Sequence, residues 1–186
     1  MDWYLSNRAD ERALPIADRH YNRQKVGSPQ FVPPGRCLVL LTKQADALWV
    51  TSWPLPEYVK HAWPGAWVCS CFRNESTALS SDLIRQAIAV TRWNWPEIPD
   101  LGMITFINPK KVRKKRDYGR CFVRAGFVKA VCPLHATKEP KCQAETGLTQ
   151  QGLIVKQMFA TAMPDPDAPL VWHGEQPPLF PELLRA

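Results

Sequence analysis

One amphipathic segment between two short apolar runs sets the strongest limit on how this chain can fold. In Ser80–Trp95, the residues Leu83, Ile84, Ala87, Ile88 and Val90 or Thr91 recur near one face at helical spacing. Pro96 and Pro99 stop the helix, and Ser80 or Ser81 is placed to cap its start. Ala66–Arg73 and Leu101–Ile107, on either side of it, read as strands. Strand, helix and strand in one sheet make a parallel crossover, which is right-handed. Two earlier apolar runs, Arg36–Thr42 and Ala47–Trp53, are joined by only Lys43–Asp46, so they predict an antiparallel hairpin. A hairpin ahead of a parallel crossover predicts an α/β fold with a mixed sheet.

The remaining elements are weaker. Residues 8–21 read as a helix that Pro15 bends or restarts. Residues 25–36 carry Gly27, Pro29, Pro33, Pro34 and Gly35 and read as a loop, and 54–65 as an irregular excursion. Tyr118–Ala125 predicts a short helix with Gly126 just beyond its end. Phe127–Cys132 and Gly152–Phe159 predict two further strands. From Met163 onward six prolines fall within 24 residues, so the chain divides into a domain over 1–162 and a Pro-rich tail over 163–186.

The formal charge is +7 and is unevenly spread. The tail holds Asp165, Asp167, Glu175 and Glu182 against Arg185, so the positive excess lies in the body. Six cations in seven positions, Lys110, Lys111, Arg113, Lys114, Lys115 and Arg116, follow the Leu101–Ile107 strand. Such a run matches a polyanion, because neutralised phosphates release counterions. No apolar run approaches a membrane span of roughly 18 residues, and the start of the chain does not read as a secretory leader. The six cysteines sit mostly in apolar runs, which predicts reduced thiols and a cytoplasmic protein. Cys69 and Cys71 are expected as packed residues on one strand face. Cys132, His135 and Cys142 lack a fourth partner at zinc spacing, so no metal site is expected.

The stretch Gly119-Arg-Cys-Phe-Val-Arg-Ala-Gly-Phe127, taken with the element order over about 10–160, resembles the GNAT acyltransferase superfamily. The resemblance implies a GNAT-like mixed sheet with flanking helices, and an acyl-CoA or aminoacyl donor. That family carries a glycine-rich pyrophosphate loop between its central strand and helix, whereas this chain has Phe72-Arg-Asn-Glu-Ser-Thr-Ala-Leu-Ser-Ser81 without glycine. The Mom-type phage branch, which modifies adenine in DNA against restriction, shares that loss. Arg19-His20-Tyr21 is similar to its His-Tyr signature, Arg73 and Ser80/Ser81 to its Arg and Ser positions, and Asn108 stands where it tends to carry Asp.

On that resemblance His20, Tyr21, Ser81 and Asn108 are candidate catalytic residues, and Arg73, Asn74, Glu75, Ser76 and Ser80 candidate donor-binding residues. Polar groups between a strand end and a helix start occupy the usual ligand crevice of such sheets. Arg23, Tyr118, Arg120 and Arg124 join the cationic run as candidate DNA contacts. Tyr118, Trp53, Trp63 or Trp67 is able to stack an extruded base. Iron at the His-Tyr pair is implied by the resemblance alone. Gln176, Leu179 and Phe180 resemble the short peptide that docks DNA enzymes on the bacterial sliding clamp. Two rival functions stay open: a conventional N-acetyltransferase on an amine, protein or modified base, and a non-catalytic DNA- or clamp-binding protein.

Overall fold

The computed structural model describes residues 3–59, 63–108, 111–112, 118–130 and 153–156. Among these residues seven strands form one mixed sheet: β1 (Trp3–Ser6), β2 (Arg36–Thr42), β3 (Ala47–Trp53), β4 (Trp67–Asn74), β5 (Met103–Ile107), β6 (Val128–Ala130) and β7 (Leu153–Lys156). Their order across the sheet is β1-β2-β3-β4-β5-β7-β6. Only β4 and β5 run parallel; the other neighbours are antiparallel. Among the described residues three α-helices, α1 (Leu14–Asp18), α2 (Ser80–Asn94) and α3 (Arg120–Arg124), and one 3-10 turn at Pro56–Tyr58 accompany them.

The hairpin β2–β3 and the β4–α2–β5 crossover lie where periodicity puts them. At the hairpin turn, the Thr42 hydroxyl accepts the Asp46 and Ala47 amides at 3.1 and 3.0 Å, which lets Ala45 sit at a φ of 54°. α2 lays Leu83, Ile84, Ala87 and Ile88 on one face of the sheet, against Trp49, Trp67 and Met103. Thr91 donates to the Ala87 carbonyl at 2.8 Å, so its oxygen accepts from Thr51, which in turn accepts the Trp49 indole N–H at 2.6 Å. This buried polar chain ties β3 to α2 with each hydroxyl satisfied. α3 packs Phe122 into the same core. Gly119 starts α3 at a φ of 76°, and a Cβ there would meet Ile107 Cδ1 at 2.7 Å, so glycine alone lets α3 approach β5. Gly126 follows the C-cap Ala125 at a φ of 101°.

Three expectations are corrected. The 8–21 helix shrinks to Leu14–Asp18, because Asp10 accepts the Arg12 amide and holds the preceding residues in turns, and Pro15 sits in the first helical turn. β1 was not foreseen: four residues carry too little alternation to signal a strand. Neither Ser80 nor Ser81 caps α2; its N-cap is Leu79, and Ser80 already belongs to the helix.

β1 is fastened by more than its ladder. The buried Trp3 indole donates to the Leu83 carbonyl in α2 at 2.9 Å, 80 residues away. Trp3→Phe keeps an aromatic ring but loses that bond and part of the filled volume. We expect it to cost about 2 kcal/mol in urea unfolding; an unchanged midpoint would show that β1 contributes nothing to the core.

Candidate active site

Strands β4 and β5 pair over only three rungs, Trp67↔Met103, Val68↔Ile104 and Cys69↔Thr105. Beyond Cys69, β4 continues for five residues without a β5 partner, while Phe106 and Ile107 pair with β7 on the opposite side. The two strands therefore part at their carboxyl ends, the edge where ligands of parallel pairs usually sit. A bulge falls at the same level. Val50 pairs with Cys71 and Thr51 with Cys69, leaving Ser70 as the extra residue. The bulge corrects the expectation that Cys69 and Cys71 share a face: Cys69 packs with the α2 core and Cys71 with the α1 core.

His20 and Tyr21, just past the end of α1, fill this gap. Their rings stack at 4.5 Å. The His20 Nδ1 accepts the Asn22 amide at 3.3 Å, and the ring also bonds the Phe72 backbone in the unpaired part of β4. The Tyr21 hydroxyl accepts the backbone N–H of Asn108 at the end of β5. The stacked pair thus spans the two separated strands. Burial first, and the Arg73 charge second, push the His20 pKa down to about 4, so its imidazole is neutral at pH 7. Burial pushes the Tyr21 phenol up, so it keeps its proton. Burial also pushes Cys71 up to about 12 and Cys69 well above its ordinary range, which leaves both as inert thiols rather than nucleophiles.

Arg73, Asn74, Glu75, Ser76 and Ser80 come together at the end of β4, and largely bind one another. Glu75 takes both oxygens to Arg19, at 2.8 and 2.5 Å, and also accepts from Arg73 Nε at 2.5 Å. The Arg19 hydrogen bonds, then those of Arg73, hold its carboxyl at about 2. Arg73 further donates to the Arg19 carbonyl, so the cluster clamps the end of α1 to β4. Asn74 accepts the Ser76 amide and hydroxyl, and donates to the Ala78 carbonyl and Ser80 hydroxyl. These bonds shape the turn between β4 and α2. Ser81 lies half-buried in the first turn of α2.

An open cavity of about 560 Å³ lies on the α1 face, next to the gap. Its floor is Val68–Cys71 with Phe106, His20 stands in its wall, and residues 22–34 form its roof. Arg23 holds that roof: it pairs with Asp18 at 2.6 Å and donates to the Ser28 and Gln30 carbonyls. Its guanidinium is consumed there, which takes Arg23 out of the expected DNA contacts. The sequence marks 25–36 only as a loop, and nothing local shows that it covers a cavity.

Of the remaining candidates, Lys111, Arg120 and Arg124 are exposed, and the Arg124 carbonyl accepts from Arg85. Tyr118 packs at the edge of the α2 core. Trp63 and Trp67 are buried, and Trp53 is held between its Gly65 hydrogen bond and the Arg36 guanidinium. The three tryptophans are core or core-edge residues and are not presented to a base. Lys110, Arg113, Lys114, Lys115 and Arg116, the Cys132–Cys142 segment, and Gln176, Leu179 and Phe180 lie outside the described residues. Among the described residues no three His, Cys, Asp or Glu side chains gather as a metal would need. The His20 Nδ1 lone pair is taken by the Asn22 amide, and among the described residues no third His, Cys, Asp or Glu joins the His20–Tyr21 pair as iron would need. No described helix is long and apolar enough to cross a membrane.

Because folded His20 titrates near 4 and an unfolded histidine near ~6.5, the unfolded chain binds the extra proton between those values. Stability is therefore lost as pH falls through that window. Glu75 adds loss only below about 4.5. We expect wild type to lose about 2 kcal/mol more than His20→Gln between about pH 7.5 and about pH 5, by urea unfolding. Equal losses would put the imidazole in solvent.

Compared with protein-family models, curated proteins and solved structures, the chain matches none of them.

Proposed function

We propose that the protein is a GNAT-like transferase that moves an acyl or aminoacyl group onto the exocyclic amine of a DNA base, in the manner of the Mom-type branch. The single observation that carries this reading is the parted β4–β5 edge, bridged by a neutral His20 and a protonated Tyr21, with a cavity beside it. The strand order, with one parallel pair at the sheet centre, supports the GNAT-like part of the reading.

The chemistry follows from the groups present. Backbone amides of β4 beyond Cys69 that face the gap are suited to stabilise the oxyanion of a donor carbonyl. The amine nitrogen attacks that carbonyl carbon and forms the N–C bond. The C–S bond of a thioester donor, or the C–O bond of an aminoacyl ester, then breaks. The amine proton ends on the departing sulfur or oxygen. Tyr21, holding its proton, is the group suited to supply it to the leaving atom and to be reprotonated from the amine. His20 acts through Tyr21: its ring is fixed by backbone on both sides and stacks on the phenol, which orients it. Lys111, Arg120 and Arg124, exposed on the chain that follows β5, suit a phosphate backbone.

One observation separates this from a conventional acetyltransferase. A lysine or polyamine acceptor arrives as an ammonium and is held by carboxylates. No carboxylate lines the cavity among the described residues, while Arg23 and Lys25 do. A base amine is uncharged at pH 7 and needs none.

Mass spectrometry of nucleosides from cells expressing the protein tests the proposal. We expect a base heavier than its parent, reduced at least about 100-fold in Tyr21→Phe. Unmodified nucleosides from cells holding soluble protein would remove the transferase reading. Salt-dependent DNA binding without product, unaltered by Tyr21→Phe, would establish the non-catalytic alternative.

A further inference from the structure

At the end of the sheet away from the His20–Tyr21 gap, a cation is held by two tryptophan rings. Arg36 opens β2, and its guanidinium lies over both the Trp53 and the Trp95 rings, 4.9 Å from each centroid. The two rings are 5.9 Å apart, and both pack on Trp67 where β4 begins. Arg36 is exposed, and among the described residues its guanidinium makes no hydrogen bond or ion pair. Stacking on ring faces leaves its in-plane N–H donors pointing outward, a fork that matches a carboxylate through two parallel bonds. The adjoining chain is apolar. Leu55 and Tyr58 follow Trp53, Trp93 and Ile98 flank Trp95, and all four are exposed among the described residues. Exposed apolar side chains around a ring-held cation are the composition of a surface that takes a partner.

The course of the chain identifies that partner. β7 runs antiparallel to β5, with Leu153 opposite Ile107 and Ile154 opposite Phe106. It therefore leaves Lys156 toward the end where β4 and β5 begin, which is the end where Arg36 pairs with Trp53. β7 stands three strands from β3 in the sheet, about 15 Å. Residues 157–164 span about 26 Å when extended, enough to cross that distance. They lead to Met163-Pro-Asp-Pro-Asp-Ala-Pro-Leu170, where prolines alternate with carboxylates. Proline-rich segments are extended beforehand and pack their rings on Trp and Tyr at little entropic cost. Glu57, Glu97 and Asp100 are exposed on the same connections as the apolar residues. They repel a phosphate backbone laid across the whole patch, whereas a short peptide needs only Arg36 for one carboxylate.

We propose that this patch is the dock for the chain's own segment 163–170. Arg36 takes the carboxylate of Asp165 or Asp167 in its fork, and the exposed rings of Tyr58 and Trp93 take the prolines. The tail is then anchored at the end of the sheet opposite the candidate active site. The dock stands or falls independently of any transferase activity, because none of its residues belongs to the His20–Tyr21 site.

The test uses the full chain with Ala168 replaced by the photoreactive p-benzoylphenylalanine. After irradiation, adducts are mapped by mass spectrometry. We expect adducts within one molecule, to 53–58 or 93–98. Asp165→Asn with Asp167→Asn should at least halve their yield, as should Arg36→Gln, the result of a roughly tenfold weaker docking equilibrium when a charge-assisted pair is lost. The aspartate substitutions alter none of the described residues, so their effect is not one of unfolding; a urea midpoint serves as the control for Arg36→Gln. Yields unchanged in both variants overturn the proposal. Adducts formed only between molecules assign the patch to a second copy's tail and overturn the intramolecular dock. Adducts confined to other surfaces, or absent, also overturn it and leave the patch to a separate partner.

Discussion

The parallel pairing of β4 and β5 stops after three rungs, and almost everything distinctive about this molecule follows from that stop. A ladder that continued would satisfy the backbone of both strands and leave no room between them. Because it ends at Cys69↔Thr105, the backbone beyond needs other partners, since buried amides and carbonyls are rarely left unpaired. His20 supplies one at Phe72 and Tyr21 another at Asn108. Two adjacent side chains from a segment far away in sequence thus replace part of a strand. The Ser70 bulge twists β4 at the same level, which is where bulges re-aim side chains beside functional sites.

Holding two aromatic rings in a strand gap requires their own segment to be fixed, and the charges do this. Glu75 gathers Arg19 and Arg73 on one carboxylate, and Arg73 reaches the Arg19 carbonyl, so the end of α1 is bound to the end of β4 immediately before His20. Asp18 and Arg23 fix the chain immediately after Tyr21. The pair is braced on both flanks. The pairs differ in worth: Arg19 is half exposed and its bond is screened, whereas Asp18–Arg23 is shielded and shares hydrogen bonds with backbone. The Arg73 charge also opposes protonation of His20, so the brace and the neutral imidazole are one arrangement.

Much of the scaffold was legible because it rests on periodicity. β2 and β3 occupy the segments that alternation and apolar runs mark, and α2 begins at Ser80 as its apolar stripe requires. Gly126 follows α3 because its φ of 101° suits little else. β1 was invisible: four residues cannot display a pattern, and Trp3 is buried only because α2 offers its carbonyl 80 residues later. The candidate site was legible in part. His20, Tyr21 and Asn108 were singled out with Ser81 as one candidate catalytic set, and Tyr21 meets the Asn108 backbone. The polar run Asn74–Ser80 was marked for a ligand, yet its side chains mostly bond one another. The roof over the cavity gave no signal, since a loop rich in proline and glycine looks the same whether it covers something or not.

The sequence by itself determined the β2–β3 hairpin and the β4–α2–β5 unit, that the sheet must be mixed, and that the body carries positive charge. Those properties depend on near neighbours and on composition, which a linear string contains. Tertiary structure decided where the parallel ladder ends, which face each cysteine takes, and that an imidazole and a phenol bridge two strands. Each of these depends on groups tens of residues apart meeting at one level of the sheet, with burial setting their protonation. Distance along the chain carries no record of that meeting.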